Sequence, residues 1–301
     1  MSLARRPLNL WLRTIEKRRL RTGTPAALRR ALETQARLFF HPPRGTQYQT
    51  TEWGGVTCVE AIVQGAVAER VLLYIHGGGF VFGSPDTHRA MAAHLARRIG
   101  ARAVLPRYRL APESPFPAAP DDIRAVWDAL IAGGVAPRDI VLGGDSAGGA
   151  LAFGLIASLC AEGAAQPGAV FGLSPLTDLT FSGESFRSNA GCDVLLPAER
   201  AVELSKLFLQ NYPADAPCIS PLFGGFVGAP PAWITVGDTE ILADDARALE
   251  ARLRAQGVAA TLQVERDLPH VWPLFHNVLP EARRTIETLA AWIRQQQRWE
   301  F

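Results

Sequence analysis

A chain of 301 residues, 48% hydrophobic and 20% charged, has ample apolar material for a large core, and an alpha/beta fold of this length need not be split into separate domains. The net charge of +2 is unevenly spread: residues 1–37 hold ten basic and two acidic side chains, a net +8, and the remainder 21 basic against 27 acidic, a net −6. Cys58, Cys160, Cys192 and Cys218 lie far apart with no C-x-x-C pair, which argues against a zinc site or a disulfide framework.

At the N-terminus, Arg5-Arg6 ahead of Pro7–Leu12 faintly imitates a secretion signal. Asn9 and Arg13 break that apolar stretch, and no small-residue cleavage site follows. No run approaches the roughly 18 apolar residues of a membrane span. The expectation is a cytoplasmic protein with no stable membrane insertion. Leu8 to Arg21 reads as an amphipathic helix, with Leu8, Trp11, Leu12 and Ile15 apolar among basic residues. Such a helix can lie on a membrane or bind nucleic acid. The preferred reading is plainer: a helix docked on its own protein with a solvated outer face, and no nucleic-acid partner. Thr24-Pro25 supplies a cap and a first-turn proline for a second helix running to about Phe40.

From there strands and helices alternate. Tyr48–Trp53 and Val56–Val63 read as paired strands, Val71–Ile75 as a buried strand and Asp86–Ile99 as a helix. Ala101–Pro106, Ile140–Leu142 and Val170–Leu173 read as strands, with helices over Ala119–Ala132 and Ala150–Cys160. Between Asp178 and Phe226 the rhythm stops around one helix, roughly Pro197–Leu209, so this stretch is an insertion. Trp233–Val236, Asp244–Gln256, Thr261–Glu265 and Pro280–Gln297 complete the alternation. Strands separated by helices of about this length imply an α/β fold with a mainly parallel sheet covered on both faces.

Chemistry concentrates in two glycine-rich stretches. Gly144-Asp145-Ser146-Ala147-Gly148 fits G-x-S-x-G between a strand and a helix, the setting of a nucleophile elbow. A serine on a strained turn needs small neighbours, and the helix behind it favours developing negative charge. His76-Gly77-Gly78-Gly79-Phe80 directly follows a strand. Its glycines can aim backbone N–H groups at a reacting oxygen, so Gly78, Gly79 and Ala147 are the candidate oxyanion donors. No phosphate-binding glycine motif lies nearby, and neither a metal nor a cofactor is expected.

His76–Phe80, Tyr108–Glu113 with Phe116–Ala118, and Gly144–Gly149 together resemble the hormone-sensitive-lipase family of alpha/beta-hydrolase esterases. The resemblance covers about residues 70–277. It implies an eight-stranded, mostly parallel sheet with helices on both faces and a helical cap. By position, the cap comprises residues 1–45 and the insertion 178–226, leaving 46–177 and 227–301 as the catalytic domain. Arg107 departs from the aspartate common at that place in the family.

In this fold the triad runs serine, acid, histidine, and only His270 and His276 follow the elbow. His270 sits on a loop after a strand and matches the family's histidine loop; His276 reads as structural. The acid lies in Val236–Asp245. The resembled family carries an acid, one residue, Leu, one residue and Asp here; matching Leu242 and Asp244 to that pattern implies Glu240 as the acid, and Asp238 is the alternative. Asp145, Arg109 and Glu113 read as buried partners bracing the loops, and Trp11, Phe39, Phe40, Phe80, Phe82 and Phe208 as candidates for an acyl pocket. Ser174–Asp178 and Ser220–Phe223 resemble loop segments that recur in relatives, and both are candidates to border the pocket.

The resulting expectation is a cofactor-free serine carboxylesterase acting on short to medium acyl esters, its partner a small-molecule ester. A lactone or amide would suit the same chemistry. A non-catalytic small-molecule receptor of this fold is disfavoured because such receptors lack the histidine present here. Family members often dimerise, which leaves a homodimer open.

Overall fold

A computed structural model of the protein describes residues 2–297 and Trp299. In chain order its elements begin with α1 (Arg5–Trp11), a π-helical turn (Leu12–Glu16), α2 (Lys17–Thr22) and α3 (Pro25–Phe39). Next come β1 (Gln47–Trp53), β2 (Val56–Ile62), β3 (Val67–Ile75), α4 (Pro85–Ile99), β4 (Ala101–Pro106) and α5 (Ala118–Ala132). They are followed by β5 (Ile140–Asp145), α6 (Ala147–Ala161), β6 (Ala169–Leu173), α7 (Ser185–Ser188) and α8 (Ala198–Leu209). The chain closes with β7 (Ala232–Gly237), α9 (Ala243–Ala255), β8 (Ala260–Glu265) and α10 (Pro280–Gln297).

The eight strands form one sheet in the order β1-β2-β4-β3-β5-β6-β7-β8. β1 pairs with β2 and β2 with β4 antiparallel, and every other pairing is parallel. Side chains alternate along each strand, which divides the core in two. On β3, Leu73 and Ile75 face the layer that includes α5, α6 and α9, whereas Leu72 and Tyr74 face the layer that includes α4 and α10. Both faces are covered, so the central strands are apolar throughout rather than alternating.

Three expectations are adjusted. The N-terminal helix begins at Arg5, before Leu8, and widens to a π turn in its middle. The elbow helix begins at Ala147 rather than Ala150, because Gly148 and Gly149 serve packing inside its first turn. A Cβ on Gly148 would stand 2.1 Å from Ile75 O, and one on Gly149 2.7 Å from Pro175 Cβ. The insertion also contains the short helix α7 besides α8. Thr24 caps α3 as expected, its hydroxyl accepting the Ala27 N–H at 3.3 Å. Among the described residues, no helix is long and apolar enough to cross a membrane.

Candidate active site

Ser146 stands between β5 and α6 at φ 51° and ψ −120°, a conformation costly for a residue with a Cβ. The surroundings hold it there. Its N–H donates to Leu173 O, and its carbonyl accepts from Leu176 N, both at 3.0 Å. The turn also needs Gly144, where a Cβ would lie 2.5 Å from Gly148 O. The side chain is thereby presented at the carboxyl edge of the sheet, above the N-terminus of α6.

The glycine loop after β3 is braced from below by Asp145, the residue before the serine. Asp145 Oδ1 accepts from the Tyr74 hydroxyl at 2.7 Å and from Gly77 N at 3.0 Å. Its Oδ2 lies 3.3 Å from His88 Nε2. Burial opposes the charge on Asp145, but His88 and these hydrogen bonds outweigh it and hold the carboxyl below its ordinary range. Tyr108 adds a second brace: its ring stacks on His76 at 4.2 Å, and its hydroxyl donates to His76 O at 2.8 Å. Burial drives the His76 ring down to about 3, so it stays neutral. Gly78 adopts φ +119°, and a Cβ there would meet Phe82 O at 2.1 Å. Among the described residues, no backbone acceptor pairs with the N–H of Gly78, Gly79 or Ala147.

Arg109 and Glu113 correct the sequence reading, since both are exposed. Arg109 chelates Asp122 of α5, with its Nη2 2.7 Å from Oδ1. Glu113 receives Arg29 of α3 at 2.7 and 2.8 Å. Arg29 also donates to Val81 O and Ala111 O, each at 2.8 Å. These long side chains fasten neighbouring segments from outside, where their charges keep some water.

On the other side of Ser146, the loop after β8 brings His270 against the loop after β7. His270 Nδ1 lies 2.6 Å from Glu240 Oε2, and both side chains are buried. Glu240 Oε1 accepts from Gly237 N at 2.6 Å and from Ser174 Oγ at 2.8 Å. The Ser174 hydroxyl in turn accepts from Val271 N at 3.1 Å, which ties the acid to the histidine loop. Burial works against a charged ring at His270, but the Glu240 carboxylate overcomes it and raises the pKa. Asp238, the alternative acid, instead accepts from Asp267 N at 2.7 Å and braces the loop. Of the two carboxylates, Glu240 is the one in contact with the His270 ring.

Two residues of the insertion were missed by sequence reasoning. Asn189 Nδ2 donates to Glu240 O at 2.8 Å and Asp238 O at 3.0 Å. Asp193 Oδ2 accepts from Ile241 N at 3.0 Å, and its carbonyl accepts from Lys17 Nζ at 2.7 Å. The Glu240 loop is therefore clamped by the insertion, which also grips the N-terminal helix. No local sequence signal marks either residue. Ser174 carried one, heading a loop at the carboxyl end of β6.

Ser146 and His270 line one cavity of about 180 Å³. Its floor includes Gly78 and Gly79, and its walls include Leu12 and Leu28 from the N-terminal helices and Leu204 from α8. Trp11, Phe40, Phe80 and Phe82 also face it, as expected. Phe39 and Phe208 do not: Phe39 is exposed, and Phe208 is buried behind Phe80 with the rings stacked at 4.0 Å. Leu176 brings the Ser174–Asp178 loop to the wall, whereas no residue of Ser220–Phe223 reaches it. His276 is buried beside Phe40 and His94, and burial lowers its pKa to about 4. Among the described residues, no group of three or more His, Cys, Asp or Glu side chains is placed to hold a metal ion.

The sequence profile of a family described as having the alpha/beta hydrolase fold matches residues 72–274. An acetyl-hydrolase of Streptomyces hygroscopicus is 38% identical over 225 residues, 75% of each chain. An esterase of Acinetobacter venetianus is 35% identical over 268 residues, 88% of each. A crystal structure of an esterase from the bacterial hormone-sensitive lipase family superposes with a TM-score of 0.93 at 38% identity, over 99% of both chains. The chain therefore belongs to the alpha/beta-hydrolase family, among its hormone-sensitive-lipase esterases, and is a carboxylic ester hydrolase.

Proposed function

We propose that Ser146 is the nucleophile, His270 the general base and Glu240 the acid that orients it. The observation that carries this reading is the 2.6 Å contact between buried Glu240 and His270, on the wall of the cavity that also holds Ser146. Ser146 Oγ attacks the ester carbonyl as its proton passes to His270 Nε2. Glu240 fixes Nδ1–H and stabilises the imidazolium. The N–H groups of Gly78, Gly79 and Ala147 receive the oxyanion, each worth roughly 3–4 kcal/mol in the transition state. His270 then protonates the departing alcohol, leaving an acyl group on Ser146. Water, deprotonated by His270, releases the acid.

Residues 1–45 and 178–226 act as the cap, a reading supported by the cavity walls both contribute. The mostly apolar cavity and the acetyl-hydrolase relative favour short to medium acyl groups. Four unpaired cysteines favour a cytoplasmic location. β8, at the edge of the sheet, offers an open strand for a homodimer. No nucleic-acid partner is proposed.

Ser146→Ala tests the mechanism. Hydrolysis of a p-nitrophenyl ester series should fall by roughly a millionfold, and substantial residual turnover would overturn the assignment.

A further inference from the structure

The outer surface of the N-terminal helices is apolar and basic in a way the hydrolase reading leaves unexplained. Among the described residues eleven large apolar side chains are exposed, and six of them lie on the N-terminal helices or on segments joined to them: Leu3, Leu10, Ile15, Leu38, Phe39 and Val278. The segments bearing them are stitched together. Ser2 Oγ donates to Glu281 at 2.7 Å, the His41 N–H to Asn277 at 2.9 Å, and Phe40 meets Phe275 edge-on at 6.2 Å. Clustered exposed apolar side chains among polar neighbours mark an interaction surface.

The same helices carry the local +8. Some of those cations are used internally: Arg5 by Asp267, Arg19 by Glu16, Arg21 by Glu199 and Arg29 by Glu113. Arg6, Arg18, Arg30 and Arg37 are exposed, and among the described residues no carboxylate lies within ion-pair distance of them. A groove of about 440 Å³ opens here, bordered by Ile15, Arg30, Thr34 and Phe39. Trp11, Glu16, Arg19, Ala31 and Gln35 line both this groove and the cavity above Ser146. The groove thus shares a wall with the active-site cavity.

We propose that this face docks on an anionic lipid surface, with esters passing from the lipid through the groove toward Ser146. Charge complementarity chooses the occupant. A second copy would set two strongly basic faces against each other, and a nucleic acid would leave the aliphatic Leu3, Leu10 and Leu38 without a partner. An anionic bilayer satisfies both features: arginines reach the headgroups, and leucines and Phe39 sink between them. Docking needs no triad, so it is tested apart from the catalytic assignment.

The experiment is cosedimentation with phosphatidylglycerol-containing vesicles and with pure phosphatidylcholine vesicles, at low (~50 mM) and high (~500 mM) salt. Binding should require the anionic lipid and weaken at high salt. Arg37→Glu and the pair Leu10→Ser/Leu38→Ser should each weaken it, by roughly fivefold or more for the arginine. Both variants lie outside the cavity and should hydrolyse a water-soluble ester at the parent rate. Ser146→Ala should sediment like the parent. No binding to anionic vesicles at low salt, equal binding to neutral ones, indifference to both variants, or tighter binding to duplex DNA would each overturn the proposal.

Discussion

Among the described residues two buried carboxylate–histidine pairs flank Ser146, and they do different work. Asp145 faces His88 at 3.3 Å, and Glu240 faces His270 at 2.6 Å. Both ring nitrogens of His88 are engaged, Nε2 by Asp145 and Nδ1 by Thr87 Oγ1 at 2.7 Å. That ring is a post supporting the glycine loop. His270 has Nδ1 held by Glu240 and borders the cavity, leaving Nε2 for a substrate. What suits His270 to the proposed role of base is that one nitrogen is fixed and the other uncommitted.

Substitutions can break this contrast. The largest effect is expected from Glu240→Gln, which keeps the shape but permits the wrong tautomer; kcat should drop about 10⁴-fold. Asp238→Asn should stay within about tenfold of the parent, since its carboxylate braces only the Asp267 N–H. The reverse ranking in steady-state kinetics would exchange the two roles. His88→Ala should act mainly on stability, because it leaves Asp145 buried with a partner removed. Urea unfolding should show a loss of about 3–5 kcal/mol, with a smaller fall in kcat than Glu240→Gln. Equal damage to kcat would mean that the two pairs are not distinct.

The smallest effect sharpens the comparison through pH. As the proposed base, His270 must be neutral to accept a proton, and its raised pKa should set the acid limb of kcat/KM above the ordinary imidazole value of about 6.5. Asp193 contributes to that rise. Asp193→Asn removes a negative charge, so the limb should move to lower pH, by less than about one unit. A shift to higher pH would reverse the assigned sign.

Much of this site was legible in the chain because catalysis on this fold uses local motifs. Gly144–Gly148 encodes a strained turn, and His76–Phe80 a loop in which a Cβ on Gly77 or Gly78 would collide with Asp145 or Phe82. His270 followed from chain order. The acid is a choice between neighbours in the chain, and the 2.6 Å contact with His270 is what supports proposing Glu240. What was not legible is held by contacts distant in sequence. Asn189 and Asp193 reach the Glu240 loop across 51 and 48 residues, and their surroundings carry no pattern. Arg109 and Glu113 were read as buried because they lie inside a motif, yet their guanidinium and carboxylate find partners at the surface. Membership of a motif does not reveal depth.

The π turn at Leu12–Glu16 makes the N-terminal helix sensitive to its own length. A π turn accommodates one residue more than an α-helical turn, and each residue of an α-helix advances the azimuth by about 100°. On the near side of it, Arg5 and Asn9 grip the carbonyls of Arg266 and Asp267 just ahead of the histidine loop. On the far side, Lys17 grips Asp193. Deleting a single residue between these anchors would relax the helix to a regular α form and throw one set of grips out of phase with the other. The irregular turn thus acts as a vernier, bringing an anchor just ahead of the His270 loop and one on the insertion into register at once.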